Sequence, residues 1–196
     1  MPTEPAAIAA SSSTYASALN PGAVSFTNIN GTDVVTSTAS VNTSTLSTSG
    51  KPIVGTYTQT ASAITGADAG NYSFGGFTTA TNNYTVNQLA LTGAITAGNK
   101  IYDATNVATI NGRSLTGAVV GDVVTYSGGT ATFSDQNAAL SKVVTGTGLG
   151  LSGADAGNYS VNATALTAAD ITPAALTISA NNASRSFGVA NPAFSA

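Results

Sequence analysis

Gly66-Ala67-Asp68-Ala69-Gly70-Asn71-Tyr72-Ser73 recurs without a single change as Gly153-Ala154-Asp155-Ala156-Gly157-Asn158-Tyr159-Ser160, 87 residues further on. An identical octapeptide at a fixed offset marks a chain assembled from a repeated unit, and a repeat decides the architecture before any local reading does. The agreement runs past the octapeptide, since Ile64-Thr65 precedes one copy and Leu151-Ser152 the other. Aromatics fall in the same register in Thr14-Tyr15-Ala16, Ile101-Tyr102-Asp103 and Ser186-Phe187-Gly188, and Leu91-Thr92 and Leu176-Thr177 each open a segment leading to the next of them. These marks divide the chain into a first repeat at 5–88, a second at 89–173 and the truncated start of a third at 174–196. Asn-Pro follows the aromatic at Asn20-Pro21 and Asn191-Pro192, where the second repeat has Asp103-Ala104-Thr105, so the units alternate in type.

A repeat of this length is far longer than one coil of a solenoid, so each copy must bury a small core of its own. Within the second repeat Val143, Thr145, Thr147, Leu149 and Leu151 alternate with Val144, Gly146, Gly148 and Gly150, which is the period of a strand. Val123–Tyr126 and Thr130–Phe133 flank Ser127-Gly128-Gly129 and predict a hairpin, because paired glycines supply the positive φ of a tight turn. Further strands are expected around Lys100–Tyr102, Val107–Ile110, Tyr159–Leu166 and Ala174–Ser179. No stretch of ten residues shows capped helical periodicity, so the expected class is all-β, in tandem small β-sandwich-like domains joined end to end. The octapeptide is read as structural: a single helical turn in which Asp155 bonds its own backbone, closed by Tyr159 with its hydroxyl on a partner. Both Tyr72 and Tyr159 are expected to be buried.

Composition narrows the chemistry. The 196 residues include no Cys, His or Trp, which removes the commonest nucleophile, general base and soft metal ligands, and disulfides with them. Charged residues make up 7%, against about 25% in an ordinary soluble domain. Lys51, Lys100, Arg113, Lys142 and Arg185 are scattered, and the net charge is −3, so nothing offers a phosphate backbone or an anionic membrane a basic face. No apolar run is long enough to span a bilayer, and the start of the chain has no signal-peptide pattern.

Lys100-Ile101-Tyr102-Asp103-Ala104-Thr105, Gly121-Asp122-Val123-Val124, Ala131-Thr132-Phe133-Ser134-Asp135, the segment Leu151–Tyr159 and Ala169-Asp170-Ile171-Thr172-Pro173 make the second repeat resemble the YDG-type repeat of large bacterial filamentous-haemagglutinin-like surface adhesins. The first repeat and the tail resemble the related MBG type, with Val54-Gly55-Thr56-Tyr57 fitting it, while Tyr15-Ala16 and Phe187-Gly188 stand where that type has Tyr-Gly. The resemblance implies extracellular, secreted repeats at a bacterial cell surface, and it carries over no catalytic residue.

The expected site residues are therefore those of a structural repeat motif: Gly66, Asp68, Asn71, Tyr72, Gly153, Asp155, Asn158, Tyr159, Tyr102 and Asp103. No catalytic, cofactor or metal site is expected. The carboxylates Glu4, Asp33, Asp68, Asp103, Asp122, Asp135, Asp155 and Asp170 include no two close in sequence, and no Asp-x-Asp-x-Asp loop for Ca²⁺ occurs. Lys100 or Lys142 could join an Asn or Asp in an isopeptide bond, but the sequence does not place the groups required. The expected function is that of stalk or spacer repeats in an adhesin or fibre, non-catalytic, partnered by neighbouring repeats of the same polypeptide. The competing reading is a glycan- or host-binding module, for which Tyr57, Phe77, Tyr126 and Phe133 are the available platforms. Residues 174–196, carrying a lone strand, are expected to pair with the second repeat or head to tail with another chain.

Overall fold

The computed structural model describes residues 6–180, 182–191 and 193. Their regular structure is all β apart from two single 3-10 turns, and no described helix is long and apolar enough to cross a membrane.

In the first half, β1 (Ala6–Ile8) pairs antiparallel with β3 (Val24–Phe26), and β2 (Ser11–Thr14) forms a sheet with β5 (Gly55–Tyr57) and β8 (Tyr84–Asn87) in the order β2-β8-β5. A second three-stranded sheet runs β4 (Thr36–Val41), β6 (Gln59–Thr65), β7 (Phe77–Thr78). Thr and Ser alternate outward along β4 and β6, where cross-strand hydroxyls bond, as Thr36 does with Thr65 at 3.0 Å. Such cross-strand pairs stabilise the sheet without charge. Gln59 is fully buried, yet its amide accepts from Gly22 N and donates to Ala9 O and Asn83 Oδ1. That satisfaction is what makes a buried amide tolerable.

In the second half, β9 (Leu89–Ala97) lies between β12 (Ile110–Thr116) and β15 (Tyr159–Val161), while β10 (Lys100–Ile101), β11 (Val107–Ala108), β13 (Thr125–Phe133), β14 (Ala139–Ser152) and β16 (Ala165–Thr172) form a five-stranded sheet ordered β10-β16-β14-β13-β11. The outer pairs β10–β16 and β15–β9 are parallel. Ile95 of β9 shares one buried cluster with Tyr126, Leu149 and Ala165 of the five-stranded sheet, and the Tyr126 hydroxyl donates to Asn162 O at 2.8 Å. Phe133, Val144 and Ile171 anchor a second cluster in this half.

Several expectations are corrected. The hairpin at Ser127-Gly128-Gly129 does not form: β13 continues through these residues, in register with β14, Ser127 opposite Gly150 and Thr130 opposite Thr147. Gly128, Gly129 and Gly148 do take positive φ, but with Gly129 and Gly148 falling between the pairs Gly128–Leu149 and Thr130–Thr147 they bend both strands together instead of reversing one. Arg113 holds the bend, donating to Gly128 O from Nη2 at 2.6 Å. The strand expected over Tyr159–Leu166 is two strands, separated where the Asn162 side chain donates to Gly93 O and Thr164 O. The strand expected over Ala174–Ser179 is absent: the backbone follows Pro173 without a neighbouring strand to bond, and Leu176, Ile178 and Phe187 stand exposed. The tail thus does not pair with the second repeat among the described residues.

Candidate functional site: a junction between the two octapeptides

The octapeptides fold alike. Gly66 and Gly153 take φ of +124° and +115°, and a Cβ on either would sit 2.2 Å or 2.3 Å from the carbonyl oxygen of Val34 or Val123, so only glycine fits. The following Asp reaches not its own backbone, as the sequence suggested, but the segment that leads into β4 or β13. Asp68 Oδ2 accepts from Val34 N at 2.8 Å and Asp155 Oδ2 from Val123 N at 2.7 Å. The residues Ala69–Asn71 and Ala156–Asn158 then form the single 3-10 turns, which aim the tyrosines back at the same place. Tyr72 donates to Asp33 Oδ2 at 2.8 Å and accepts from Asn30 N, and Tyr159 donates to Asp122 Oδ2 at 2.5 Å and accepts from Val119 N.

What differs is the outer side of each motif. Over the second octapeptide lies the loop 45–54 of the first half, and it uses its backbone to cap the motif. Thr48 N donates to Asp155 Oδ1 at 3.0 Å, Ser49 N to Asp122 Oδ1 at 3.1 Å and Val54 N to Asn158 Oδ1 at 2.9 Å. Tyr15 completes the contact. Its ring meets Tyr159 edge to face with centroids 5.2 Å apart, and its hydroxyl donates to the same Asp122 Oδ2 at 2.5 Å while Ser47 Oγ lies 2.6 Å away. Tyr15, Tyr84 and Val86 from the first half and Leu91 and Tyr159 from the second form one buried cluster, so the apolar core is continuous across the junction. A single residue, Gln88, separates β8 from β9.

The electrostatics follow from this packing. Burial opposes ionisation of Asp122, but hydrogen bonds from Ser49, Tyr15 and Tyr159 outweigh it and bring the carboxyl to about 2. The amides of Val123 and Thr48 likewise lower Asp155. Tyr15 and Tyr159 are both pushed up, by burial first and by the Asp122 carboxylate second. A phenol locked as donor on a carboxylate is a poor nucleophile and a poor general acid. The arrangement binds backbone amides.

The structure thus brings Gly153, Asp155, Asn158 and Tyr159 together at the junction, with Asp155 4%, Asn158 5% and Tyr159 2% exposed. Gly66, Asp68, Asn71 and Tyr72 form the matching motif elsewhere in the first half. Tyr72 there is only half-buried and Asn71 is exposed, contrary to the expectation of two buried tyrosines. Tyr102 and Asp103 belong to neither: Asp103 Oδ1 accepts from Lys100 Nζ, Thr105 N and Thr105 Oγ1, closing a local turn, and Lys100 chiefly, with Thr105, holds the carboxyl at about 2. Lys142 is similarly engaged by Asp135 at 2.6 Å. Among the described residues no three His, Cys, Asp or Glu side chains gather where a metal ion could be held. Of the aromatics considered as glycan platforms, Tyr126 and Phe133 are buried, and Tyr57 and Phe77 are half-buried.

Sequence reasoning missed Tyr15, Ser47–Val54 and Asp122 as junction residues. One signal was present: Asp33-Val34-Val35 and Asp122-Val123-Val124 are a second pair of matching segments, each the partner of one octapeptide. No curated protein and no solved structure matches the chain. The family model of the YDG domain matches residues 84–168, starting on Tyr84 in β8 and ending within β16, so the chain contains a YDG domain that includes the second octapeptide, the Lys100–Thr105 turn and all of the second half's share of the junction.

Proposed function

We propose that the chain is a length of non-catalytic spacer in a secreted bacterial surface adhesin, made of small β-sandwich-like repeats at 5–88 and 89–173 stacked end to end, with 174–196 opening a third. The junction is the observation that carries this reading. A spacer must keep successive units in line under load, and here three backbone hydrogen bonds, a tyrosine pair on one carboxylate and a shared apolar cluster join the halves across a one-residue link. Linkers between independent binding modules are ordinarily longer and looser. The MBG type for the first repeat is supported by Ala16, which takes φ +65° at the position where that type has glycine. The same reading makes neighbouring repeats the partners and the cell surface the location.

A glycan array with the intact chain tests the proposal against a host-binding module. The spacer reading expects no glycan bound above background, because Tyr126, Phe133 and Tyr159 are spent on cores. Robust, saturable binding to one glycan class would overturn it.

A further inference from the structure

Away from the junction, the first half carries a second motif of the same build on which no described loop is seated. Asp33, Asp68, Asn71 and Tyr72 reproduce the internal bonds of Asp122, Asp155, Asn158 and Tyr159: aspartate to the facing valine amide, tyrosine hydroxyl to the other aspartate, and an amide three residues before that aspartate to the tyrosine oxygen. In the second half the remaining acceptors, Asp155 Oδ1, Asp122 Oδ1 and Asn158 Oδ1, are filled by amides of the loop 45–54. In the first half no described residue donates to the corresponding oxygens of Asp68, Asp33 and Asn71. Exposure follows suit: Asn158 is 5% exposed, whereas its equivalent Asn71 lies in the open and Tyr72 is half-covered.

We propose that Asp33, Asp68, Asn71 and Tyr72 are a docking socket for the loop of another repeat of the same type as residues 5–88, one carrying a turn like Ser47-Thr48-Ser49-Gly50 and an aromatic like Tyr15. The occupant is specified by the seated example within this chain. It must offer three backbone N–H groups spaced as those of Thr48, Ser49 and Val54, and a phenol able to share Asp33 with Tyr72. The outer end of the second half does not meet that description, because Ser141 N, the place of Val54 N in the repeat register, is already donated to Asp170 Oδ1 at 2.7 Å, and Asp135 would bring a carboxylate toward Asp68. The socket therefore selects for repeat type as well as for repeat order. This inference rests on the stacked-repeat reading above.

The test is a fusion in which a second copy of residues 6–88 precedes the whole chain, joined so that its Tyr15 lies as far ahead of Tyr72 as Tyr15 lies ahead of Tyr159. The added copy is segmentally labelled with ¹⁵N and amide exchange is followed at its Thr48, Ser49 and Val54. Docking brings exchange at all three to within about tenfold of the resident Thr48, Ser49 and Val54 in the same molecule. Asn71→Ala, which removes an exposed side chain with no bond inside its own half, restores fast exchange at Val54 of the added copy while the rest of the spectrum stays folded. The resident junction is the control, with Asn158→Ala as the matching variant. If the resident amides are protected and those of the added copy exchange freely, the socket proposal is wrong and the stacked reading stands. If neither set is protected, both fail.

Discussion

Asp122 is the residue on which the junction turns, since two tyrosine hydroxyls and a backbone amide from two different halves converge on its carboxylate. Removing Tyr159 deletes a ring that is 2% exposed in the shared cluster, so Tyr159→Ala is expected to cost about 3–5 kcal/mol in urea denaturation. Tyr72→Ala should cost distinctly less, because nothing described covers that ring from outside; equal losses would mean that the two tyrosines are equally enclosed. Ala104 offers the opposite kind of test. It stands third in the Tyr-Asp-Ala turn with φ +61°, a left-handed conformation that costs an L residue about 1–2 kcal/mol, and its side chain is exposed. Ala104→Gly is expected to stabilise by up to about 1 kcal/mol in the same assay, the relief of strain exceeding the added entropy of the unfolded chain. A destabilised variant would show that the turn does not hold its strained backbone.

Among the elements, the loop 45–54 depends on carboxylates whose ionisation the fold favours. Hydrogen bonds hold Asp122 at about 2 in place of 3.8, so it contributes stability that is fully present above about pH 4 and is lost as the pH falls through about 2, and Asp155, lowered as well, adds stability of the same sign that acid removes. Amide resonances of Thr48 and Ser49, which bond these carboxylates, should therefore move toward exposed positions between pH 4 and 2, ahead of those in β14; simultaneous loss would mean that the junction has no separate acid response. The octapeptide, the class and several strand positions of the second half were legible in the sequence, because glycine geometry and period-two alternation act locally. The bend at Gly128–Gly129 was not. Paired glycines favour a turn and a kinked ladder alike, and only the in-register partners on β14 and the Arg113 contact decide between them. The junction was hidden for a related reason. Its donors are main-chain N–H groups of 48–54, which any sequence would possess, and Tyr15 and Asp122 are separated by more than a hundred residues. The tail failed differently, since a strand-like run forms a strand only where an edge accepts it.

At the scale of the molecule, the tail and the junction make separate claims. Leu176, Ile178 and Phe187 are almost fully exposed, an apolar segment suited to pairing with a sheet of another chain. If it does so in solution, light scattering will show a mass that rises with concentration and returns to monomer when 174–196 is deleted; a constant monomer mass for the full chain would end the head-to-tail proposal. The larger claim is that the two halves move as one body, without which a chain of such repeats could not transmit reach. Residual dipolar couplings of backbone amides test it directly, because couplings from a rigid pair fit one alignment tensor while hinged halves need two of different magnitude. A rigid joint requires β2, β4, β6 and β8 to share a single tensor with β9, β13, β14 and β16, and Asp122→Ala is expected to split it. Two tensors in the unmodified chain would contradict the junction as a rigid joint.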